Sequence, residues 1–570
     1  MTAERMIARR THPRPLALAA TLLLLLAGPG LAAGCAPDEA PPPDAPDTQE
    51  AELEGPELEV PPVEVPAGLT TGPYDWLIHG GLVVDGTGAP ARPADLLLKD
   101  GRIAYVGPVD ADTLEVAERF DAQGLVVAPG FIDAHAHGAP LDNPAFPNFL
   151  AMGVTTILLG QDGGGPPATS LADHLDALDE TRPTVNVAYL LGHNALRRES
   201  GVEYDPPSPE GSERLAELVA MGMDQGAFGL STGLEYDPGT LADLDELTAI
   251  ARPVAERDGV VMSHMRNEDA DQVEASVAEL LEQGRRSGAH VHASHLKVVL
   301  GSDTGQAHRI LEQMAEARGE GLEVTADVYP YTASFTGTAI LFPDWARPPN
   351  DYGQVARDRR ADLLDHLRER VEGRNGPEAT LFGSGELEGF GELSGSTLAE
   401  VAEAMERPFE EILLEIGPSG ARAAYFVMDE AVMTTFLTDP HVAVSSDGSP
   451  TMQHPRGYGA FPRVIRQYVV EEGLLGLEEA VRKMSGLTAS IIGLADPDRV
   501  DVPRGVLQAG WAADVAVFDL EAVRDRATYE EPHQTAEGMR GVWVNGRRAW
   551  DGAGLMPGPG HGRALRATWP

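Results

Sequence analysis

Two histidines stand two residues apart at the end of the run Phe131-Ile-Asp-Ala-His135-Ala-His137. On a strand, residues two apart face the same side, so both imidazoles address one space. Two imidazoles are too few to hold a zinc ion, which takes three or four protein ligands. Further donors occur in similar settings: His264 in Ser-His-Met-Arg, His295 in Ser-His-Leu-Lys and Asp447 in Ser-Ser-Asp-Gly. A lone histidine at a strand end is commonly a satisfied polar residue. Four of them with a carboxylate, spread over separate apolar runs, point to metal-assisted chemistry, in which a bound water is acidified and a carbonyl polarised.

The elements that must position these residues alternate. Eight apolar runs end in polar residues, at 126–137, 155–162, 187–193, 228–235, 260–264, 291–297, 324–331 and 442–447, and helical stretches separate them. That rhythm predicts a (β/α)8 TIM-like barrel, an α/β fold whose site lies at the C-terminal strand ends. The barrel is expected over 127–500. It is interrupted by an inserted helical segment at about 343–424, with helices near 356–373 and 398–416, the second opened by the capping box Thr397-x-x-Glu400. Strand-rich pieces flank it. Asp85-Gly86, Asp100-Gly101 and Asn545-Gly546 read as hairpin turns, and residues 69–126 and 501–570 together predict one small β-sandwich domain built from both ends of the chain.

The 570 residues carry 43 Lys+Arg against 89 Asp+Glu, a formal charge of −46. Such a balance excludes nucleic acid as a partner and a polybasic grip on anionic lipid. A single cysteine excludes an internal disulfide and any thiolate-rich zinc module. Residues 1–34 read as a signal peptide: Arg5, Arg9, Arg10 and Arg14 precede an apolar core too short to span a bilayer comfortably. The core ends in Leu31-Ala-Ala-Gly-Cys35, which resembles a bacterial lipoprotein signal and makes Cys35 the expected lipidation site. Ordinary secretion is the alternative. Residues 36–66 hold nine prolines, ten acids and no base, so 35–68 is expected to be a solvated tether. The protein would then face the periplasm from a membrane it touches only through the lipid on Cys35. Ala36, rather than Asp, after the cysteine favours the outer membrane by resemblance to lipoprotein sorting.

The strand-end blocks resemble the amidohydrolase superfamily, and within it the N-acyl-D-amino-acid deacylases, or D-aminoacylases. The blocks are Pro-Gly-Phe-Ile-Asp-Ala-His-Ala-His at 129–137, Gly-Ala-Phe-Gly-Leu-Ser-Thr-Gly-Leu-Glu-Tyr-Asp-Pro-Gly at 226–239, Ser-His-Met-Arg at 263–266 and Ser-His-Leu-Lys at 294–297. Asp-Val-Tyr-Pro-Tyr at 327–331, Ser-Asp-Gly at 446–448 and His-Pro-Arg at 454–456 complete the set. The resemblance runs from about residue 75 to 550 and implies one or two zinc ions. One would be held by His264, His295 and a ligand ending the second strand, the other by His135, His137 and Asp447. The family usually places a cysteine at the second strand end; here Gly160-Gln161-Asp162-Gly163 stands there, so Asp162 is the expected ligand, a carboxylate being able to bridge two ions. The alternative is a turn in which Asp162 caps backbone amides. Superfamily members with a bridging carbamylated lysine commonly carry it at the fourth strand end, which here lacks one.

The resemblance also implies roles around the metal. Asp447 is the expected catalytic residue, taking a proton from the attacking water and returning it to the leaving amine. Arg456 is the expected clamp for the substrate carboxylate, since guanidinium binds carboxylate bidentately. Lys297, Tyr236 and Tyr329 are expected to contact the substrate. His193 could stabilise the oxyanion or orient a loop. Arg266 and Glu268 read as support for His264, and the bulk of Phe335 bears on the pocket's preference. The leading expectation is a zinc hydrolase of small-molecule N-acyl-D-amino acids. A D-dipeptidase, a cyclic amide hydrolase of the dihydropyrimidinase kind and a degenerate, tethered binding lipoprotein are the alternatives.

Overall fold

A computed structural model of the chain describes residues 58–569. The expected signal peptide, the lipidation site at Cys35 and the first part of the expected tether lie outside the described residues. The rest of that tether runs along the body. The Leu58 N–H donates to the Thr87 carbonyl at 2.8 Å, and Leu58 packs against the core that holds Leu487 and Ile491. Leu58, Val60 and Val63 are half-buried while Glu59 and Glu64 face water, so residues 58–63 pack on the body and are not a solvated spacer, whereas 64–68 are exposed. Among the described residues no helix is long and apolar enough to cross a membrane.

Eight parallel strands form the barrel: β1 (Phe131–Asp133), β2 (Val154–Leu159), β3 (Asn186–Tyr189), β4 (Gly229–Gly233), β5 (Val260–His264), β6 (His290–Ala293), β7 (Val324–Val328) and β8 (Val442–Val444). The third strand breaks at Leu190 and resumes as Leu191–Gly192, so that β3 pairs with β2 while its continuation pairs with β4. At the other seam a parallel bridge joins Ala136 to Gly448. Most strand positions are buried, as strands covered on both faces must be. Parity separates the two faces. Val261, Val291 and Ala293 share one core with the flanking helices, whereas Ile132, Leu158, Phe228, Val260 and Met262 pack inside with Leu487 and Ile492. His264 continues the inner series by two residues, which carries its imidazole into the mouth.

Both ends of the chain build one eight-stranded β domain. The strand Tyr74–Val83 slips register between Ile78 and Gly81; it pairs with Val116–Asp121 before the slip and with Val126–Pro129 after it. The sheet thereby curls around Trp76, Leu96, Val515 and Trp543. Asp100-Gly101 and Asn545-Gly546 make the expected left-handed turns, with φ of 51°, 76°, 48° and 75°. Asp85-Gly86 instead opens a longer loop in which Asp85 accepts from the Thr87 N–H and from Arg92. Asp514 fastens this domain to the barrel: its carbonyl accepts from the Gly130 N–H at 2.9 Å, and its carboxylate pairs with Arg504 and accepts from the Asn186 amide.

The insertion carries the first expected helix as Arg360–Glu372, whereas the one expected over 398–416 breaks into Leu398–Met405 and Phe409–Ile416, with Glu406 at φ 52° and Pro408 between them; the Thr397–Glu400 capping box is fully formed. It also carries a four-stranded antiparallel sheet of Ser334–Gly337, Ala421–Tyr425, Thr380–Leu387 and Gly391–Glu392. Its own core gathers Leu363, Leu367, Phe382, Leu398, Ile412 and Tyr425. Asp269, from the loop after β5, latches it to the barrel through Arg370 at 2.9 Å and Arg374 at 2.7 Å.

Candidate metal centre and active site

The seam between β1 and β8 brings the first ligands together. The Asp447 N–H donates to the His135 carbonyl, and the His137 N–H to the Gly448 carbonyl, each at 2.8 Å. These two bonds set the His137 Nε2 3.1 Å from Asp447 Oδ1. Asp162 arrives from the Gly-rich turn after β2. That turn lies flat on β4 because Gly233 has no side chain: a Cβ there would meet the Asp162 carbonyl at 2.2 Å. The Ser231 hydroxyl donates to the Gly160 carbonyl and accepts from the Gly163 N–H.

The Asp162 carboxylate sits at the middle of the cluster. Its Oδ1 lies 3.3 Å from His135 Nε2, 3.3 Å from His295 Nε2 and 3.6 Å from His264 Nδ1, and its Oδ2 lies 3.4 Å from His137 Nε2. Two donor groups contain it, His135–His137–Asp162–Asp447 and Asp162–His264–His295, and a third, Glu235–His264–Glu268, adjoins them at His264. Donors on one tetrahedral zinc at 2.0–2.1 Å stand about 3.3 Å apart, which is the spacing found. His135 is fully buried, and neither of its ring nitrogens makes a hydrogen bond. An orphaned buried imidazole facing a carboxylate fits a cation between them. Asp162, His295 and Asp447 all hold left-handed φ, at 55°, 37° and 46°. Such backbone strain persists where a site requires it.

The charges agree with that reading. Burial would lower the imidazolium of His137, yet the Asp162 and Asp447 carboxylates outweigh it and hold the group up to about 9. Burial is likewise outweighed at His264, which Glu268, Asp162 and Glu235 push up to about 10. Asp162 and Asp447 resist the rise that burial imposes and stay far below the usual carboxylate range, beside His135 and Arg456 respectively. The site is a nest of carboxylates that demands positive charge.

A second layer orients the imidazoles. The His264 Nε2 meets Glu235 Oε2 at 3.2 Å, and the His295 Nδ1 meets Glu268 Oε1 at 3.2 Å, the carboxylate–histidine arrangement that fixes which nitrogen faces an ion. Behind them Asp327, fully buried, accepts from the His295 N–H at 3.0 Å and from His292 at 2.7 Å. Glu268 thus serves His295 directly, whereas Arg266 does not touch His264. It pairs with Glu279 and holds the Thr240 and Ala242 carbonyls.

A cavity of about 370 Å³ opens over the cluster, within the size range of small-molecule sites. Arg456 lies in it, 1% exposed. Its Nη2 contacts Asp447 Oδ2 at 2.9 Å, while Nε and Nη1 have no partner. Tyr329 supports the guanidinium with its ring, 4.6 Å away. Lys297 also lines the cavity, but its Nζ is engaged by Glu268 at 2.6 Å and His295 Nδ1 at 2.7 Å. Tyr236 packs on His264 with ring centroids 4.4 Å apart, and its hydroxyl is bonded to Thr336.

His193 is the correction. It does not line this cavity: it opens the helix His193–Ser200, is fully buried, and its Nε2 pairs with Glu246 at 2.8 Å beside Arg197. The neighbouring Asn194 matters more, because its amide holds the Gly233 and Tyr236 carbonyls at the end of β4. Sequence reasoning assigned no role to Glu235, Asp327, Asn194, Arg374 or Arg422. Two of them carried a signal: Glu235 stands two residues beyond Gly233, and Asp327 opens the Asp-Val-Tyr-Pro-Tyr run, each in a block already singled out.

A (β/α)8 barrel whose strand ends gather two histidine groups around one shared carboxylate defines a metal-dependent hydrolase. The profile of the amidohydrolase family matches residues 118–330 and 393–549. An N-acyl-D-glutamate deacylase of Alcaligenes xylosoxydans xylosoxydans is 35% identical over 519 residues, covering 86% of this chain and 96% of the relative. A D-aminoacylase of the same organism is 34% identical, covering 87% and 98%. The crystal structure of N-acyl-D-glutamate deacylase from Bordetella bronchiseptica, complexed with zinc and a phosphonate mimic of the tetrahedral intermediate, superposes with a TM-score of 0.74 at 34% identity. It matches 87% of this chain and 100% of that one. The chain belongs to the amidohydrolase family, and within it to the D-aminoacylases.

Proposed function

We propose that the protein is a zinc-dependent hydrolase of linear amide bonds that deacylates N-acyl-D-amino acids, releasing a D-amino acid and a carboxylate. The observation that carries this reading is the pairing of the Asp162-centred donor groups with a buried, half-unpartnered Arg456 in one cavity. His135, His137, Asp162 and Asp447 would hold one ion, and Asp162, His264 and His295 the other. Bound zinc supplies an acidified water and a polarised carbonyl.

The chain's own residues do the rest. Arg456 offers Nε and Nη1 to the substrate's α-carboxylate. Asp447, kept ionised by Arg456, accepts the proton of the attacking water and delivers it to the departing nitrogen. Water and amide thus become carboxylate and amine with no net loss of protons from Asp447. The D-configuration is supported by the deacylases of Alcaligenes and Bordetella. The alternatives fare worse. A cyclic amide hydrolase with a bridging lysine is disfavoured because β4 ends without one and Lys297 is tied to Glu268. A degenerate binder has no use for six converging donors. A D-dipeptidase is disfavoured because the relatives that span this chain are deacylases of N-acyl amino acids. Amine release from matched N-acetyl-D- and N-acetyl-L-amino acids tests the proposal: turnover confined to the D series is expected, and equal or L-selective turnover sinks it.

We further propose a lipid anchor at Cys35 that holds the protein on the periplasmic face of the envelope, in the outer membrane. The basic, apolar and Leu-Ala-Ala-Gly-Cys order of residues 1–35 supports this, as does Ala36. Labelled palmitate should appear on the wild-type protein and vanish in Cys35→Ala; equal labelling of both would reject the anchor.

A further inference from the structure

The run His454-Pro455-Arg456 opens the helix Arg456–Arg463, and deacylation engages only its arginine. His454 is fully buried. Its Nδ1 accepts from the Arg456 N–H at 3.1 Å, which leaves the proton on Nε2, and Nε2 donates to the Ala333 carbonyl at 3.0 Å. The Arg456 N–H is among the first amides of its helix, which find no partner inside it. Pro455 offers no side-chain cap, so the imidazole supplies the acceptor. Burial, reinforced by the Arg456 cation, presses the His454 imidazolium well below the usual histidine range. The ring stays neutral, and Nδ1 stays an acceptor.

The two bonds tie separate parts of the cavity wall together. Ala333 leads directly into the insertion strand Ser334–Gly337, where Ser334 and Phe335 line the cavity, and the Arg422 guanidinium rests over the Phe335 ring, 5.6 Å from its centroid. Arg456 lies at the other end of the bridge, 2.9 Å from Asp447. The His454 ring is held edge-on between Tyr331 and Tyr529, with centroids 5.7 and 5.0 Å away, which fixes its plane. Missing side chains seat the rest of the helix start. A Cβ at Gly457 would meet the Ser449 carbonyl at 2.6 Å, and one at Gly459 would collide with the Tyr331 hydroxyl. Neither contact pairs the Arg456 amide. Since Nε and Nη1 of Arg456 have no partner, the aim of the guanidinium depends on its backbone, on Asp447 and on the Tyr329 ring.

Building on the deacylase reading, we propose that His454 is a positioning residue for substrate binding: by bridging the Ala333 carbonyl and the Arg456 amide, it holds the carboxylate clamp in register with the wall formed by the insertion. Both of its ring nitrogens are spent on backbone groups and none on a metal donor. Its effect therefore falls on KM and leaves metal content and the chemical step in place.

The test uses the full-length, zinc-loaded protein and its His454→Leu and His454→Asn variants, with N-acetyl-D-leucine as substrate. Leucine has similar bulk and no acceptor. Asparagine is smaller, yet its amide oxygen reaches the N–H two residues on, as in an Asx turn. Leaving a buried N–H unpaired is worth about 10-fold. His454→Leu is expected to raise KM by about that factor, with kcat and zinc content retained, and His454→Asn to recover most of the loss. A ring that serves only as filler gives the reverse order, leucine near wild type and asparagine impaired. That order overturns the proposal, as does a loss confined to kcat or to zinc content. Should His454→Leu fail to fold, His454→Asn decides alone: KM within about threefold of wild type upholds the role, and a tenfold rise overturns it. Calorimetric binding of the same compound reads the clamp without turnover. Affinity falling from wild type through asparagine to leucine, with no amine released by any of the three, upholds the positioning role and overturns the deacylase reading. Equal affinities overturn the positioning role.

Discussion

Asp447→Asn is expected to lower kcat by about 10²–10⁴-fold, the usual worth of a positioned general acid–base. The substitution keeps the size and one carbonyl oxygen, but the amide accepts no proton at any working pH. The geometry makes the loss specific. Asp447 Oδ1 faces His137 at 3.1 Å and Oδ2 faces Arg456 at 2.9 Å, so one carboxylate touches both the metal ligands and the substrate clamp. In the variant Arg456 loses its counterion inside a buried site, and the substrate's own carboxylate becomes its partner. KM should therefore fall or hold while kcat collapses. The check is steady-state kinetics alongside metal content, which should persist at Asp162, His264 and His295. A rate within tenfold of wild type would remove Asp447 from proton transfer.

Asp162→Gly is expected to strip the protein of metal. Asp162 is the one residue common to both donor groups, so its loss leaves three donors in one and two in the other. The affinity should fall by more than the ~10–100-fold that follows loss of an outer-shell partner. Glycine is the informative replacement because Asp162 sits at φ 55°, a conformation glycine adopts without strain. Loss of metal then reflects the missing carboxylate and not a distorted turn. Asp162→Cys restores a ligand and should retain metal while shifting preference toward softer ions such as Cd²⁺. Metal analysis after dialysis distinguishes the cases, and an Asp162→Gly protein that keeps its full metal content would make Asp162 a turn residue.

The site was largely legible because a barrel converts sequence position into space. Residues ending separate strands must meet at one mouth, and period two decides which of them face it, so His135, His137, His264, His295 and Asp447 could be placed together without knowing any loop. Asp162 was legible only through the resemblance: it stands where the family usually places a cysteine, in a Gly-rich turn whose residues alone allow a capped turn equally well. His193 misled because it too follows an apolar run, yet the strand breaks at Leu190 and His193 begins a helix that turns it toward Glu246, 53 residues later. No local signal marks that partner. The insertion sheet was missed because its strands, Ala-Arg-Ala-Ala-Tyr and Thr-Leu-Phe-Gly-Ser-Gly-Glu-Leu, are rich in Ala and Gly, which strands disfavour. Arg422 was invisible with them, since its place at the cavity depends on that sheet. Residues 58–63 read as tether by composition, although the half-buried alternation of Leu58, Val60 and Val63 marks a stretch that packs.

Titrating metal-stripped protein with zinc, while following amine release from an N-acetyl-D-amino acid, tests the central claim most directly. Activity absent without metal and rising to its maximum at one or two zinc ions per chain is the result expected from two donor groups that share Asp162. Undiminished turnover by protein shown to be free of metal would contradict it.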